Sequence, residues 1–319
     1  MKRMRKVHIA NLPTPIEVLK DFPHPATIFV KRDDLTGLLT SGNKVRKLEY
    51  SLADALSYKA DTVITCGGIQ SNHCRATVAC CRILGLNPVV VLRGEPVLPY
   101  DGNLLLNQLL GCEVRYVTRR EYEHVDELME SMAAELMRQG KHPYIIPEGA
   151  SNEVGLLGYI ECMAEMKEFI KRERIQAVYV AVGSGGTYAG LLLGKVIHKV
   201  DVDVLGVIIC DTVEFFTEKV CRIAQVAVDR YDLGVGIDKD DVTLVDGYIG
   251  KGYGIPYRAE IETIKKVAKF GIILDVVYTG KAFHGMQNHA KGYKKILFIH
   301  TGGIFSLFPY REEFYGPRS

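Results

Sequence analysis

Ala177-Val178-Tyr179-Val180-Ala181-Val182-Gly183-Ser184-Gly185-Gly186-Thr187-Tyr188 reads as an apolar strand, a glycine turn and the opening of a helix. Unbroken apolar character, with no polar alternation, suits a strand buried on both faces. Such strands belong to parallel sheets covered by helices on either side. The three glycines let backbone amides converge on an anion, and the following helix adds the partial positive charge of its N-terminus. Ser184 and Thr187 add hydroxyl donors. The same residues also suit a plain strand-to-helix turn. A dinucleotide site would want a small residue where Tyr188 stands, and an acidic residue closing the next strand, which is missing. A Walker loop fails too, because Asn43 is interposed between Gly42 and Lys44. A small phosphate ester fits better than a nucleotide.

The same alternation extends in both directions. Strands are expected at 27–30, 62–65, 89–92, 113–117, 144–146, 177–182, 204–209 and 296–300, with a further extended segment at 276–278. Helices are expected at 45–56, 73–84, 104–110, 125–138, 156–171, 188–197, 258–270 and 283–290. Strands alternating with helices predict an α/β fold with open, mostly parallel sheets. In such folds ligands bind at the carboxyl ends of strands. Thr65-Cys66-Gly67-Gly68, Gly183–Thr187 and His300-Thr301-Gly302-Gly303 each follow a strand directly.

Ser41-Gly42-Asn43-Lys44-Val45-Arg46-Lys47-Leu48-Glu49 opens one of the helices. Gly42 permits a tight turn, and Asn43 is a good helix cap. Lys44 then lies near the positive end of a helix, among Arg46 and Lys47. That setting disfavours the protonated amine, and a neutral amine is what a carbonyl-attacking lysine needs. A solvated lysine on a basic first turn is the plainer interpretation of Lys44 taken alone. Gly68-Ile69-Gln70-Ser71-Asn72-His73 opens another helix, and its amides would form a pocket for a carboxylate. Ser71 is a candidate acid, base or nucleophile, although Ser71 or Asn72 would serve equally as a cap. Tyr253, in a loop with three glycines, and Tyr278, before Thr279-Gly280, are candidates among 17 tyrosines that mostly pack.

The composition excludes several classes. The chain of 319 residues carries a net charge of +2, so no field favours nucleic acid or a membrane surface. No apolar run approaches the roughly 20 residues of a membrane helix. The basic start at Met1–Lys6 lacks the apolar stretch of a signal peptide, so a cytoplasmic protein is expected. Eight cysteines without a Cys-x-x-Cys pair read as buried thiols. Cys66, His73 and Cys74 fit no common zinc spacing, so no metal is expected.

Taken together, Lys31-Arg32-Asp33-Asp34-Leu35, the Asn43-Lys44 turn, Gln70-Ser71-Asn72-His73, Gly183–Thr187, Tyr278-Thr279-Gly280-Lys281 and His300–Gly303 resemble one ordered set. It is that of pyridoxal-phosphate (PLP) enzymes of the tryptophan-synthase-β fold type, narrowed to the D-cysteine desulfhydrase and 1-aminocyclopropane-1-carboxylate (ACC) deaminase family. The resemblance runs from about Leu12 to Pro309. It implies two domains, a large one from residues 1–49 and 156–319 and a small inserted one from 50–155, with PLP in the cleft between them. It implies that Lys44 bears the cofactor, is displaced by a small amino-acid substrate and then removes the α-proton. It places the phosphate on Gly183, Ser184, Gly185, Gly186 and Thr187, with Asn43 and Asn72 also on the cofactor. Asn72 would bond the phenolic oxygen, and Ser71, Asn72 and His73 would hold the substrate. Tyr253 and Tyr278 would flank the substrate and tune proton transfer, and a homodimer is the usual assembly. ACC deaminases carry glutamate where Thr279 stands and leucine where Thr301 stands. A threonine beside the pyridine nitrogen makes a weaker electron sink than a glutamate. That departure favours α,β-elimination of D-cysteine to pyruvate, hydrogen sulfide and ammonia. The alternatives are ACC deamination, a lyase for another β-substituted amino acid such as cysteate, and a PLP-binding protein without turnover.

Overall fold

The computed structural model describes residues 5–95 and 98–315. Ten strands are present: β1 (Ile16–Val18), β2 (Thr27–Lys31), β3 (Thr62–Gly68), β4 (Asn87–Arg93), β5 (Glu113–Val117), β6 (Pro143–Ile145), β7 (Ala177–Val182), β8 (Asp203–Ile208), β9 (Thr243–Val245) and β10 (Lys295–Ile299). They form a six-stranded sheet in the order β1-β2-β10-β7-β8-β9 and a four-stranded sheet in the order β5-β4-β3-β6. Every pairing is parallel except β1 with β2. The last strand in the chain lies in the middle of the larger sheet, between β2 and β7. Three segments far apart in sequence therefore leave that sheet side by side: the run after Lys31, the run after Val182 and the run after Ile299.

The principal helices are α1 (Asn43–Ser57), α2 (Asn72–Ile83), α3 (Gly102–Leu109), α4 (Arg119–Tyr122), α5 (Val125–Arg138), α6 (Leu157–Glu173), α7 (Gly186–His198), α8 (Val213–Tyr231), α9 (Arg258–Ala268) and α10 (Thr279–His289). β7 is buried along its whole length, as its unbroken apolar run requires. Helix α6 and helix α7 cover one face of the larger sheet, packing Tyr159, Met163, Tyr188 and Leu192 onto Val178, Val180 and Val182. Helix α10 covers the other with Phe283 and Met286. Helix α1 turns Val45, Leu48 and Leu52 toward Val63, Ala76 and Cys80 of the smaller sheet and its helix.

Two expectations need correction. Val276–Tyr278 is a turn, not a strand. The Asp275 carboxylate collects the amides of Val277, Tyr278 and Thr279 at 3.0, 3.1 and 2.7 Å, which bends the segment into the start of α10. Helix α8 is absent from the sequence-based series, although Thr212 caps it through the Phe215 amide at 3.2 Å. Its Phe216, Val220, Ile223, Ala224 and Ala227 supply a buried stripe at helical spacing.

A buried ionic network fixes α1 against this frame. Arg46 donates from Nε and Nη2 to Asp33 at 3.0 and 2.8 Å, and from Nη1 to Glu165 at 2.8 Å. Asp33 also accepts from Tyr159 Oη at 2.6 Å and Thr14 Oγ1 at 2.8 Å. Lys31 Nζ completes the set on Glu165. Burial pushes the Asp33 carboxyl up, but Arg46, Lys31 and Tyr159 hold it below its ordinary value of 3.8. Removing one partner of a buried ion pair costs about 3–5 kcal/mol, because the other charge is stranded. Asp33→Asn is therefore expected to lose about 3 kcal/mol in urea unfolding near neutral pH. A carboxylate with a depressed folded pKa stabilises above its unfolded pKa and stops doing so as pH falls through the folded one. The gap between wild type and Asp33→Asn should thus close as pH falls below about 4.

Candidate active site

Beyond the carboxyl ends of β2 and β10 the backbones come into direct contact. A Cβ on Gly302 would lie 2.6 Å from Gly42 Cα, and one on Gly42 would lie 2.8 Å from the Thr301 carbonyl oxygen. Gly42 has φ +110° and is itself the cap of α1, so Asn43 is the first helical residue rather than the cap. Freed from capping, Asn43 donates from Nδ2 to Thr187 Oγ1 at 3.0 Å, and from its amide to the Thr301 carbonyl at 3.1 Å. A cavity opens over this junction. It is lined by Asn43, Lys44, Asn72, residues 181–185, Thr187, Tyr188, Tyr278, Thr301 and Gly302.

Lys44 and Lys47 lie one turn apart on the same side of α1, while Arg46 points away into its ionic network. Burial is what lowers Lys44, against a small opposing effect of Glu148, bringing its amine down to about 8. Burial, and not a basic first turn, is therefore what lowers Lys44. Arg46 is neutralised elsewhere, and Lys47 is a second buried lysine behind the cavity wall, which helical spacing alone could have revealed. Lys47 is fully buried and donates to Ser151 Oγ at 2.8 Å. Ser151 Oγ in turn meets Ser184 Oγ at 2.7 Å and accepts from the Gly186 amide at 3.3 Å. Burial, then the charges of Lys44 and Lys219, push the Lys47 amine well down.

The glycine turn is built for close approach. Gly185 has φ +87°, and a Cβ on Gly186 would lie 2.8 Å from Ser151 Oγ and 2.9 Å from Lys47 Nζ. A side chain at Gly185 would find ordinary space, so backbone strain rather than a blocked amide is what makes glycine necessary there. Amines gathered around a helix N-terminus, with Lys47 wholly buried, are costly until an anion joins them. The residues present therefore fit a phosphate held on the 183–187 turn.

On the opposite wall Ser71 is the cap of α2, its Oγ accepting from the Cys74 amide at 3.1 Å. That leaves its hydroxyl proton available. Asn72 Oδ1 accepts from Asn103 Nδ2 at 2.9 Å, so its own NH2 group is the part free to point into the cavity. His73 does not line the cavity. Its Nε2 lies 2.7 Å from Thr65 Oγ1, whose proton goes to the Ile146 carbonyl at 2.7 Å, so Nε2 carries the hydrogen. Burial, then Lys44 and Lys47, keep His73 neutral.

Tyr278 lines the cavity, and Tyr253 reaches it through a hydroxyl-to-hydroxyl hydrogen bond of 2.5 Å. Burial pushes both phenols up. The Arg93 guanidinium lies 5.8 Å from the Tyr253 ring and 4.8 Å from that of Tyr122, joining the tyrosine loop to the smaller sheet. Thr301 lines the cavity, but Thr279 does not. The Thr279 hydroxyl donates to Asp275 Oδ1 at 2.6 Å and accepts from the Asp275 amide at 2.7 Å. Asp275 was missed in the sequence, as were Lys47 and Ser151; nothing in its local pattern distinguishes it.

A two-sheet α/β fold with a lysine facing an anion-binding glycine turn across a cleft defines a cofactor-dependent enzyme of the tryptophan-synthase-β type. Residues 7–302 match the family described as pyridoxal-phosphate dependent enzyme, and the chain belongs to that family. Pyridoxal 5'-phosphate is its cofactor. A putative ACC deaminase of Thermotoga maritima is 46% identical, over 95% of this chain and 97% of its own. The bifunctional D-cysteine desulfhydrase/ACC deaminase, mitochondrial, of Arabidopsis thaliana is 40% identical, over 94% of this chain and 78% of its own. The crystal structure of an ACC deaminase homologue superposes with a TM-score of 0.90 at 37% identity, covering 98% of this chain and 96% of that one.

The lowered amine gives a direct expectation. In the cofactor-free protein, acylation of Lys44 should reach half its maximal rate near pH 8, against 10.5 for an ordinary lysine, as read by peptide mass mapping. A midpoint above pH 10 would contradict the burial argument.

Proposed function

We propose that this protein is a PLP-dependent lyase converting D-cysteine to pyruvate, hydrogen sulfide and ammonia. The observation that supports the choice is that Thr301 lines the cavity, where its hydroxyl would meet the pyridine nitrogen. The Asp275 carboxylate beside Thr279 is saturated by three amides and the Thr279 hydroxyl. A hydroxyl shares a hydrogen bond with the ring nitrogen but does not hold it protonated as a carboxylate does. The resulting sink suffices for loss of an α-proton with a good leaving group. It is poorly suited to opening a cyclopropane that has no α-proton.

When bound, pyridoxal phosphate supplies the electron sink for the carbanion at the substrate Cα. Lys44 would hold the cofactor and later move the α-proton, its lowered basicity leaving a neutral amine available near neutral pH. Gly183–Thr187, with Lys47 behind them, would bind the phosphate, and Asn43 would fix Thr187 in that turn. Asn72 would donate to the phenolic oxygen from the NH2 group that Asn103 leaves free. The Ser71 hydroxyl and the first amides of α2 would receive the substrate carboxylate. His73 would support that turn through Thr65. Tyr278, relayed by Tyr253, would hold a proton beside the departing thiolate.

The same proposal includes a division into residues 1–49 with 156–319 and residues 50–155, supported by the confinement of all four strands of the smaller sheet to 62–145. It includes a cytoplasmic homodimer. Eight free cysteines suit a reducing compartment. Exposed Leu35, Leu38, Ile304 and Phe308 supply apolar surface for association.

Two outcomes are expected. Purified enzyme should release sulfide from D-cysteine with a kcat/KM at least about tenfold above that for 2-oxobutanoate from ACC, about 1.4 kcal/mol of barrier. The names of the Thermotoga relative and of the superposed structure favour the deaminase as second reading, and ACC turnover without sulfide would establish it. Thr301→Val, which removes only the hydroxyl, should slow the elimination by roughly ten- to hundredfold, and Thr301→Ser should retain most of it. Equal rates in Thr301→Val and wild type would remove Thr301 from the site.

A further inference from the structure

Tyr253 stands in a segment with little to hold it. Gly250, Gly252 and Gly254 have φ of +69°, +142° and +69°, and no helix or strand covers 246–257. Yet its hydroxyl is held 2.5 Å from that of Tyr278. Arg93 stacks on the Tyr253 ring from the smaller sheet, and one further side chain ties the backbone of the loop to α10. Lys281, three residues beyond Tyr278 on α10, is fully buried and donates from Nζ to the carbonyls of Ile249 and Gly252, both at 2.7 Å. These two carbonyls bracket the turn immediately before Tyr253. Tyr278 is the cap of the helix that bears Lys281, so the ammonium fixes the loop relative to the very residue that Tyr253 must reach.

The arrangement is expensive, which argues that it has a purpose. A wholly buried ammonium costs several kcal/mol unless paired. The carboxyl groups near it are those of Glu260 and Asp275, both without exposure. Neither is in direct contact with Nζ, which spends its hydrogen bonds on the loop instead. Glu260 leaves Oε1 without a partner, and burial, opposed by Lys281, raises its carboxyl to about 8. The Tyr257 ring, 6.0 Å from Nζ, closes the site and packs against Gly250.

We infer that Lys281 is the positioning residue of the tyrosine pair: its two carbonyl hydrogen bonds hold the 249–253 turn so that Tyr253 meets Tyr278 at the cavity. The inference rests on the reading above, in which that pair moves a proton. Lys281 touches neither substrate nor cofactor and acts through Tyr253 alone.

The test is hydrogen exchange together with a double-mutant cycle on the PLP-loaded enzyme. In Lys281→Met, the amides of 249–256 should exchange at least about tenfold faster than in wild type, while those of α1 and α7 are unchanged. Unchanged protection of 249–256 overturns the inference, and this readout needs no substrate, so it is independent of the lyase assignment. With D-cysteine, Lys281→Met should lower kcat by roughly ten- to hundredfold with little change in KM. In the Tyr253→Phe background the same change should cost less than about twofold, because the residue it acts through is already disabled. An equal fractional loss in both backgrounds overturns the inference in favour of a general structural role. If Lys281→Met does not fold, Lys281→Gln, whose amide reaches one of the two carbonyls, carries the same cycle with a smaller loss.

Discussion

The ion pair between Arg46 and Asp33 is the constraint on which the site depends. Arg46 lies on the side of α1 opposite Lys44, so anchoring one side aims the other. Asp33 comes from the loop after β2, and Glu165 and Tyr159 from α6; Arg46 binds Asp33 and Glu165, and Tyr159 donates to the same Asp33. Isolated buried ion pairs stabilise little, because desolvation offsets their attraction. What this one supplies is orientation: with every donor and acceptor around Asp33 engaged, α1 has one rotation about its axis and Lys44 one direction.

A second constraint is the convergence of chain ends in the larger sheet. Because β10 lies between β2 and β7, the turns at Gly42, Gly183 and Gly302 meet at one edge. Close backbone passage there leaves no room for side chains, and the helix N-termini of α1 and α7 end at the same cavity. Together they set a positive potential that a phosphate satisfies, and they place Lys44 across from it. The smaller sheet brings the other wall through α2. Arg75 secures that wall by donating to the Ser41 carbonyl at 2.9 Å and to Asn103 at 3.1 Å, which in turn orients Asn72.

Much of this was legible from residues alone. Unbroken apolar strands such as Ala177–Val182 announced parallel sheets, and the glycine turns announced where they end. What was not legible depends on particular side-chain contacts, near or far in sequence, that no periodic pattern reports. Thr279 looks available in sequence, but Asp275 claims its hydroxyl. Asn43 looks like a cap, but Gly42 takes that place because Thr301 lies too near for any side chain. Val276–Tyr278 has strand-forming residues, yet a buried carboxylate bends it. Three-residue edge strands such as β1 and β9 carry too little periodicity to be read. Helix α8 and Lys47 are different: their helical spacing was present in the sequence and was passed over.

Borohydride reduction of the PLP-loaded protein, followed by peptide mapping, tests the central claim most directly. With Arg46 on one side of α1 and the glycine turn on the other, the proposed function has the cofactor attached to Lys44. A pyridoxyl group on the peptide bearing Lys44, with Lys47 unmodified, is the result expected. A label on Lys47 or on any other lysine, or no visible chromophore after adding PLP, would contradict the account.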